Sequence, residues 1–224
     1  GKSFKIFKSK NIIVKKGLLK KDVSNFYSTY FFNRKKKLPF VIGKIATSKN
    51  NIIYSTKLKK ITDKHSDKLT HFLRYKNDSI LISYKTLNKD NPKLNCRLSG
   101  LEKFSPKRII LDNNLNTKID SYIFNTANKE NTIIFYNNAN KQKISLFKKK
   151  GIQLIKSNLT KIKYFDLKLV LKKLYKIGIR NILVEGGNNL SGSFLKNKLL
   201  NQFYLFKSPK ILTKSAPYKD FNHI

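Results

Sequence analysis

The chain has 224 residues, long enough to bury a sizeable core, and a hydrophobic content of 40% excludes wholesale disorder despite the charge. Forty-nine Lys+Arg against twelve Asp+Glu give a formal charge of +37. Such a field attracts polyanions, so nucleic acid and phosphate-bearing ligands both have to be weighed. The single cysteine, Cys96, excludes an intramolecular disulfide and a cysteine-cluster zinc site, and no metal is expected.

The basic residues are spread along the chain, which is also rich in Asn, Ile, Phe and Tyr, residues with A- and T-rich codons. Compositional drift plus a phosphate-bearing ligand explains this better than a nucleic-acid role, for which no motif appears. No apolar run approaches the ~20 residues needed to span a bilayer, and GKSFKIFKSK lacks the apolar segment of a signal peptide. A cytoplasmic location is therefore expected. The chain starts at Gly1 and has no Met, which suggests a piece cut from something longer.

In chain order, residues 1–37 read as a poor domain by themselves. A strand-like run at Asn11–Val14 precedes a basic helix-like stretch from Leu18 to Tyr30, and Arg34–Lys37 reads as a linker or surface loop. From Leu38 the pattern changes. Phe40–Ala46 is an apolar strand candidate, and Thr62–Asp63 signals the start of a helix reaching about Tyr75. Ser79–Ser83 reads as a buried strand, followed by a loop from Thr86 to Arg97. Further strands are expected at Arg108–Leu111, Thr132–Tyr136 and Ile152–Ile155. Asp166 opens a helix with Leu167, Val170, Leu171, Leu174 and Ile177 at helical spacing, stopped by Gly178. Asn181–Val184 is a strand, then come a helix at about Leu190–Leu199 and a strand at Phe203–Phe206. Alternating strands and helices define an α/β domain with a largely parallel or mixed sheet.

The sharpest local feature is Val184-Glu185-Gly186-Gly187-Asn188-Asn189-Leu190-Ser191-Gly192-Ser193. Two glycines between a buried strand and a helix start let backbone approach a ligand, with unpaired helix N–H groups facing it: a phosphate cradle. It is not the G-x-G-x-x-G fingerprint, and a ligand-free structural turn has the same spacing. Glu185, at the strand end, could bind hydroxyls or move a proton, or be an exposed turn acid.

Lys44-Ile45-Ala46-Thr47-Ser48, Ile61-Thr62, Arg74, the loop from Thr86 to Arg97, Ile109–Asp112, Val184–Gly187 and Ser208–Leu212 occur together in one order and approximate spacing. Over about residues 38–212 the chain thereby resembles the C-terminal reductase domain of the bifunctional riboflavin-biosynthesis deaminase/reductases. That domain is similar in fold to dihydrofolate reductase, a mixed, mostly parallel sheet flanked by helices. The resemblance makes residues 1–37 the tail of the preceding, fused deaminase domain and 38–224 the reductase domain, with an incomplete C-terminal end. The H-x-E and P-C-x-x-C of the deaminase zinc site are missing, so no deaminase activity is expected.

The resemblance implies NADPH-dependent reduction of 5-amino-6-(5-phosphoribosylamino)uracil to the ribitylamino compound, with hydride delivered to ribose C1, and a homodimer. It places Ala46, Lys60, Thr86, Asp90, Asn113 and the 187–193 turn (Gly187, Asn188, Asn189, Leu190, Ser191, Gly192, Ser193) at the cofactor. Leu58, Arg74, Leu94, Arg97 and Glu185 fall at the substrate, with Arg74 and Arg97 suited as a pair to its phosphate. Glu185, Asp90 and Lys44 are the catalytic candidates, although Lys44 could equally be a lysine on the strand's outer face. The chain departs from the family pattern at Asn50-Asn51 (usually Asp-Gly), Asn91 (usually Asp), Lys60 (often aromatic) and Leu58 (often Ser). Other readings of the same residues are a reductase of this fold with a pteridine-like substrate, and a basic nucleic-acid-binding protein.

Overall fold

The computed structural model describes residues 2–55, 61–212 and 218–221. The apolar runs become parallel strands because both faces of the sheet they form are covered, so residues pointing either way must be apolar. The strands are β1 (Phe40–Thr47), β3 (Ser79–Ser83), β4 (Lys107–Leu111), β5 (Thr132–Tyr136), β6 (Gln153–Lys156), β7 (Asn181–Glu185) and β8 (Gln202–Lys207). They lie in the order β6-β5-β4-β3-β7-β1-β8, and every pairing is parallel. Antiparallel pairing is confined, among the described residues, to β2 (Ile52–Ser55) with β9 (Tyr218–Asp220) and one bridge, Leu159 to Phe165.

One face packs Val41, Leu81, Ile109, Ile133 and Val184 against α8 (Leu167–Lys176) and α9 (Asn188–Lys196), through Val170, Leu171, Leu174 and Phe194. The other packs Ile80, Ile82, Ile110, Ile134 and Leu183 against α4 (Lys64–Tyr75), α5 (Tyr84–Asp90), α6 (Tyr122–Asn125) and α7 (Lys141–Lys149). Burying one such aliphatic side chain contributes roughly 1.5–3 kcal/mol. Side-chain caps set the helix starts. Asp63, Ser83, Ser121, Asn140 and Asp166 each accept a backbone N–H of the first turn.

The first third departs most from its sequence reading. Asn11–Val14 forms no strand, and Ile13 is 91% exposed. Before it lies α1 (Lys2–Ser9). The stretch from Leu18 to Tyr30 breaks at Tyr27 into α2 (Lys20–Phe26) and α3 (Ser28–Lys36). Arg34–Lys36 are the last turn of α3 rather than a loop, stabilised there by the negative end of the helix dipole. Asn33 is buried and donates to the carbonyls of Leu38 and Arg180, tying α3 to the sheet. Thr86–Asp90 are helical rather than loop, because Ser83 caps α5. Ile177 leaves the apolar stripe of α8, 44% exposed at the helix end.

All seven strands point the same way, so the ends of β1, β7, β3 and β4 gather Thr47, Glu185, Ser83 and Leu111 along one edge. Open parallel sheets take their ligands beyond the carboxyl ends of their strands, where the order of strands reverses. Here β3 to β6 step outward one way while β7 and β8 flank β1 on the other side.

Candidate functional site

The register of β1 on β7 sets Lys44 beside Glu185. Alternation along β1 turns Lys44 to the same side as Ile42 and Ala46, away from the buried Val41, Gly43 and Ile45. From α4, Arg74 reaches across and holds Glu185 in a two-pronged pair. Its Nε donates to Oε1 at 2.8 Å and its Nη2 to Oε2 at 2.9 Å. The third nitrogen donates to the Asn95 carbonyl at 3.2 Å. His71, one turn earlier on α4, sits with Nδ1 3.2 Å from the same carbonyl and 3.2 Å from the Arg97 amide.

Burial is the largest single influence on Glu185, Lys44 and His71, outweighed at Glu185 and prevailing at the other two. It pushes the Glu185 carboxyl up, but the Arg74 hydrogen bonds and charge, with Lys44 and His71 beside it, leave it below the usual carboxylate range. Burial also pushes Lys44 down. Glu185 opposes this and Arg74 adds to it, so the ammonium ends below the ordinary lysine value. Burial likewise lowers His71, helped by Arg74 and Arg97. The outcome is a fixed carboxylate beside a lysine whose proton is released more easily than that of an ordinary lysine. The Lys44 Nζ lies 5.0 Å from the centre of the Phe206 ring.

Beyond Glu185, Gly186 lies against Leu190. A Cβ there would meet the Leu190 side chain at 2.9 Å, whereas one on Gly187 would meet nothing within 4 Å. Gly187 is the N-cap of α9 and brings no side-chain cap, so the first-turn N–H groups of that helix are available to a ligand. Alongside runs a cleft of about 690 Å³, walled by the ends of β3 and β4, the 160–168 segment and α9.

The cleft collects some of the residues named from sequence and not others. Asn113, Asn189, Leu190 and Ser193 line it. Ser191 is buried, its hydroxyl donating to the Gly186 carbonyl, and Gly192 is buried inside α9. Asn188 keeps its Oδ1 buried at the helix start with no partner among the described residues. Thr86 is half-buried against Ser83, and Asp90 is exposed in the last turn of α5. Leu94 has its side chain in the core, 2% exposed, with φ +55°. Leu58 and Lys60 lie outside the described residues.

The arginine pair is not the free phosphate fork expected from sequence. Arg74 is buried and its nitrogens are engaged by Glu185 and Asn95. Arg97 is exposed, with Nη1 3.1 Å from the Asn95 side chain. The departure at Asn51 has a conformational explanation. Its φ of +61° is a left-handed position that favours Gly and tolerates Asn. Asn50, in turn, clamps both backbone groups of Leu212.

Sequence reasoning missed the 160–168 wall, including Ile162, Lys163 and Tyr164, as well as Lys85. No Gly or Pro marks that turn. It is held instead by the Thr160 amide on the Tyr164 carbonyl, by Lys163 at φ +59°, and by Asn113 donating to the Lys163 carbonyl. The only local clue was Asp166 as a cap.

A parallel sheet clothed on both faces, with the first turn of α9 walling a cleft at its strand ends, is an α/β domain of the dihydrofolate-reductase-like kind. More narrowly, the chain belongs to the RibD C-terminal domain family, whose model matches residues 43–218. It is 30% identical over 228 residues to the riboflavin biosynthesis protein RibD of Aquifex aeolicus, covering 98% of this chain and 60% of that protein. It is 31% identical over 168 residues to the 5-amino-6-(5-phosphoribosylamino)uracil reductase of Buchnera aphidicola subsp. Acyrthosiphon pisum, covering 70% of this chain and 77% of that one. Among solved structures, the Thermotoga maritima diaminohydroxyphosphoribosylaminopyrimidine deaminase/5-amino-6-(5-phosphoribosylamino)uracil reductase superposes with a TM-score of 0.77 at 26% identity. That match takes in 100% of this chain and 59% of that one. The chain thus spans about 60% of the length of these two-domain relatives.

Proposed function

We propose that this chain is an NADPH-dependent reductase of 5-amino-6-(5-phosphoribosylamino)uracil, working in the cytoplasm as a homodimer. Residues 1–37 are then the tail of a preceding deaminase domain, and the reductase domain begins at Leu38. Family membership supports the reading. The observation that carries it is the strand-end cleft walled by the first turn of α9, on the same sheet whose neighbouring strands β1 and β7 set Lys44 beside Glu185. Among the described residues, no helix is long and apolar enough to cross a membrane.

The residues present fit a pyridine dinucleotide. The uncapped helix start suits a pyrophosphate, and Asn113, Asn189 and Ser193 offer hydrogen bonds between apolar walls from Leu111, Ile162 and Leu190. When bound, NADPH supplies the hydride that reduces C1 of the opened sugar. The chain aligns the reactants and handles the proton. Glu185, kept ionised by Arg74, accepts hydrogen bonds from substrate hydroxyls. Lys44 carries a proton at Nζ that burial makes easier to give, matching the proton the reduced imine nitrogen must take up. Arg74 acts through Glu185 rather than on the phosphate.

The test is loss of NADPH absorbance on mixing purified chain with cofactor and the ribosylamino-pyrimidine, alongside calorimetric titration of NADPH. Substrate-dependent oxidation is expected. Absence of both oxidation and binding at millimolar cofactor would overturn the assignment.

A further inference from the structure

Residues 91–97 follow α5 without regular secondary structure, so other groups must hold their backbone. Leu94 enters the core in a left-handed conformation, φ +55°, that a leucine adopts only at a cost. The three residues after it are tied to a single turn of α4. Arg74 Nη1 donates to the Asn95 carbonyl at 3.2 Å, the Cys96 thiol to the His71 carbonyl at 3.6 Å, and the Arg97 amide to His71 Nδ1 at 3.2 Å. From the other side, the Cys96 amide donates to the Ser105 hydroxyl at 3.0 Å.

His71 Nδ1 stands 3.2 Å from two groups with opposite demands. The Arg97 amide can only donate and needs a lone pair, whereas the Asn95 carbonyl can only accept and needs a proton. The carbonyl already has a donor in Arg74. The amide has no other acceptor among the described residues. The arrangement is therefore best satisfied by a neutral ring with its proton on Nε2. Its surroundings favour the same form. Burial, then Arg74 on α4 and Arg97 on the loop, disfavour the imidazolium; the Asn95 carbonyl and Glu185, which β7 sets beside Lys44 of β1, oppose them. Protonation reverses the bond, turning Nδ1–H to the Asn95 carbonyl and leaving the Arg97 amide without an acceptor.

The segment so held presents Arg97, which is exposed. One guanidinium nitrogen rests on Asn95 Oδ1 at 3.1 Å, and the others have no partner among the described residues. Since Arg74 is spent on Glu185, Arg97 is the guanidinium this loop has left for an anionic substrate group. We propose that His71 is a positioning residue: by accepting the Arg97 amide it locks residues 94–97 so that Arg97 meets the phosphate of the substrate. The inference rests on the reductase reading above and adds to it a residue that touches no reactant. It acts on substrate binding, not on the hydride step or the cofactor.

The experiment is steady-state kinetics of the full chain with NADPH and 5-amino-6-(5-phosphoribosylamino)uracil from acid to neutral pH, with calorimetric titration of NADPH. It compares wild type, His71→Leu, which removes the acceptor, and His71→Asn, whose Oδ1 takes the place of Nδ1 and does not titrate. His71→Leu should raise KM for the pyrimidine about ten-fold, with kcat within about two-fold and NADPH affinity unchanged. His71→Asn should restore KM to near wild type at neutral pH. The phosphate titrates near pH 6 in every variant, so the pH readout is the ratio of wild-type to Asn KM. That ratio should climb as pH falls below the ordinary histidine range. Should His71→Leu fail to fold, His71→Asn decides alone. A KM unmoved by His71→Leu, a loss shared equally with kcat or NADPH affinity, no rescue by Asn, or a ratio flat with pH each overturns the positioning role while wild-type turnover keeps the reductase reading. Wild type without turnover sinks both.

Discussion

Replacing Arg74 by Met inverts the pH dependence that Glu185 contributes to stability. In the wild type, the folded-state pKa of Glu185 lies below its unfolded value, because Arg74 and Lys44 overcome a burial that acts the other way. Between those two values the unfolded chain binds more protons than the folded one. The carboxylate's contribution is therefore fully present above the unfolded pKa and is lost as pH falls through the depressed one. Remove Arg74 and its two bonds of 2.8 and 2.9 Å, and burial is left opposed mainly by Lys44. The carboxyl then titrates above its ordinary value, and its ionisation costs stability as pH rises. Breaking a buried pair by deleting one partner costs roughly 3–5 kcal/mol. Glu185 remains 15% exposed and keeps Lys44, so about 3 kcal/mol at neutral pH is the expected loss. With a urea slope of about 1–3 kcal/mol per molar, that moves the midpoint by about 1–3 M. The assay is urea unfolding from acid to neutral pH for wild type, Arg74→Met and Arg74→Lys. The wild-type minus Met difference should grow as pH rises, while Lys, which keeps the charge and loses the fork, falls between. A difference that is flat with pH, or largest in acid, would refute the reasoning.

If Lys44 delivers the proton, the alkaline limb of kcat/KM lies below the ordinary lysine range, and Glu185→Gln shifts it lower still by removing the attraction that opposes burial; a limb unmoved by Glu185→Gln argues against that role. Gly187→Val leaves the chain folded, since its Cβ enters open space and only a poorer helix cap lowers the melting temperature slightly, but abolishes NADPH binding by obstructing the helix start, as titration will show. Gly43→Ala pushes a methyl to 2.7 Å from Phe203 and 2.8 Å from Leu200, and thermal unfolding should register a loss of about 1–3 kcal/mol. Asn51→Val, at φ +61°, should cost about 1–2 kcal/mol by denaturant titration, whereas Asn51→Gly costs nothing.

Much of the fold was legible because its signals are local. The apolar runs at Phe40–Ala46, Ser79–Ser83, Arg108–Leu111, Thr132–Tyr136 and Asn181–Val184 all became strands, and Asp63 and Asp166 became caps. Where the local signal was ambiguous, the reading failed. Ile12 and Ile13 have strand chemistry but no neighbouring strand to bury them, and hydrogen bonding without burial does not offset the entropy of ordering. Thr86–Asp90 carries Asn and a following Pro and reads as a loop, but Ser83 supplies a cap and Leu87, fully buried, supplies the packing that makes it a helix.

The sequence by itself determined the apolar content of each strand, the glycines at 186–187 and the ordered motifs that mark the family, because these depend on residue type and short spacing alone. Only the tertiary structure decided which charges meet. Arg74 and Glu185 are 111 positions apart, and nothing in either segment says that a guanidinium expected to hold phosphate is spent on a carboxylate. The register of β1 on β7 brings Lys44 to that pair, and a turn without glycine or proline becomes a wall of the cleft. Such pairings are set by strand order and by burial, which fix distance and dielectric together, and neither is written in any single stretch of chain.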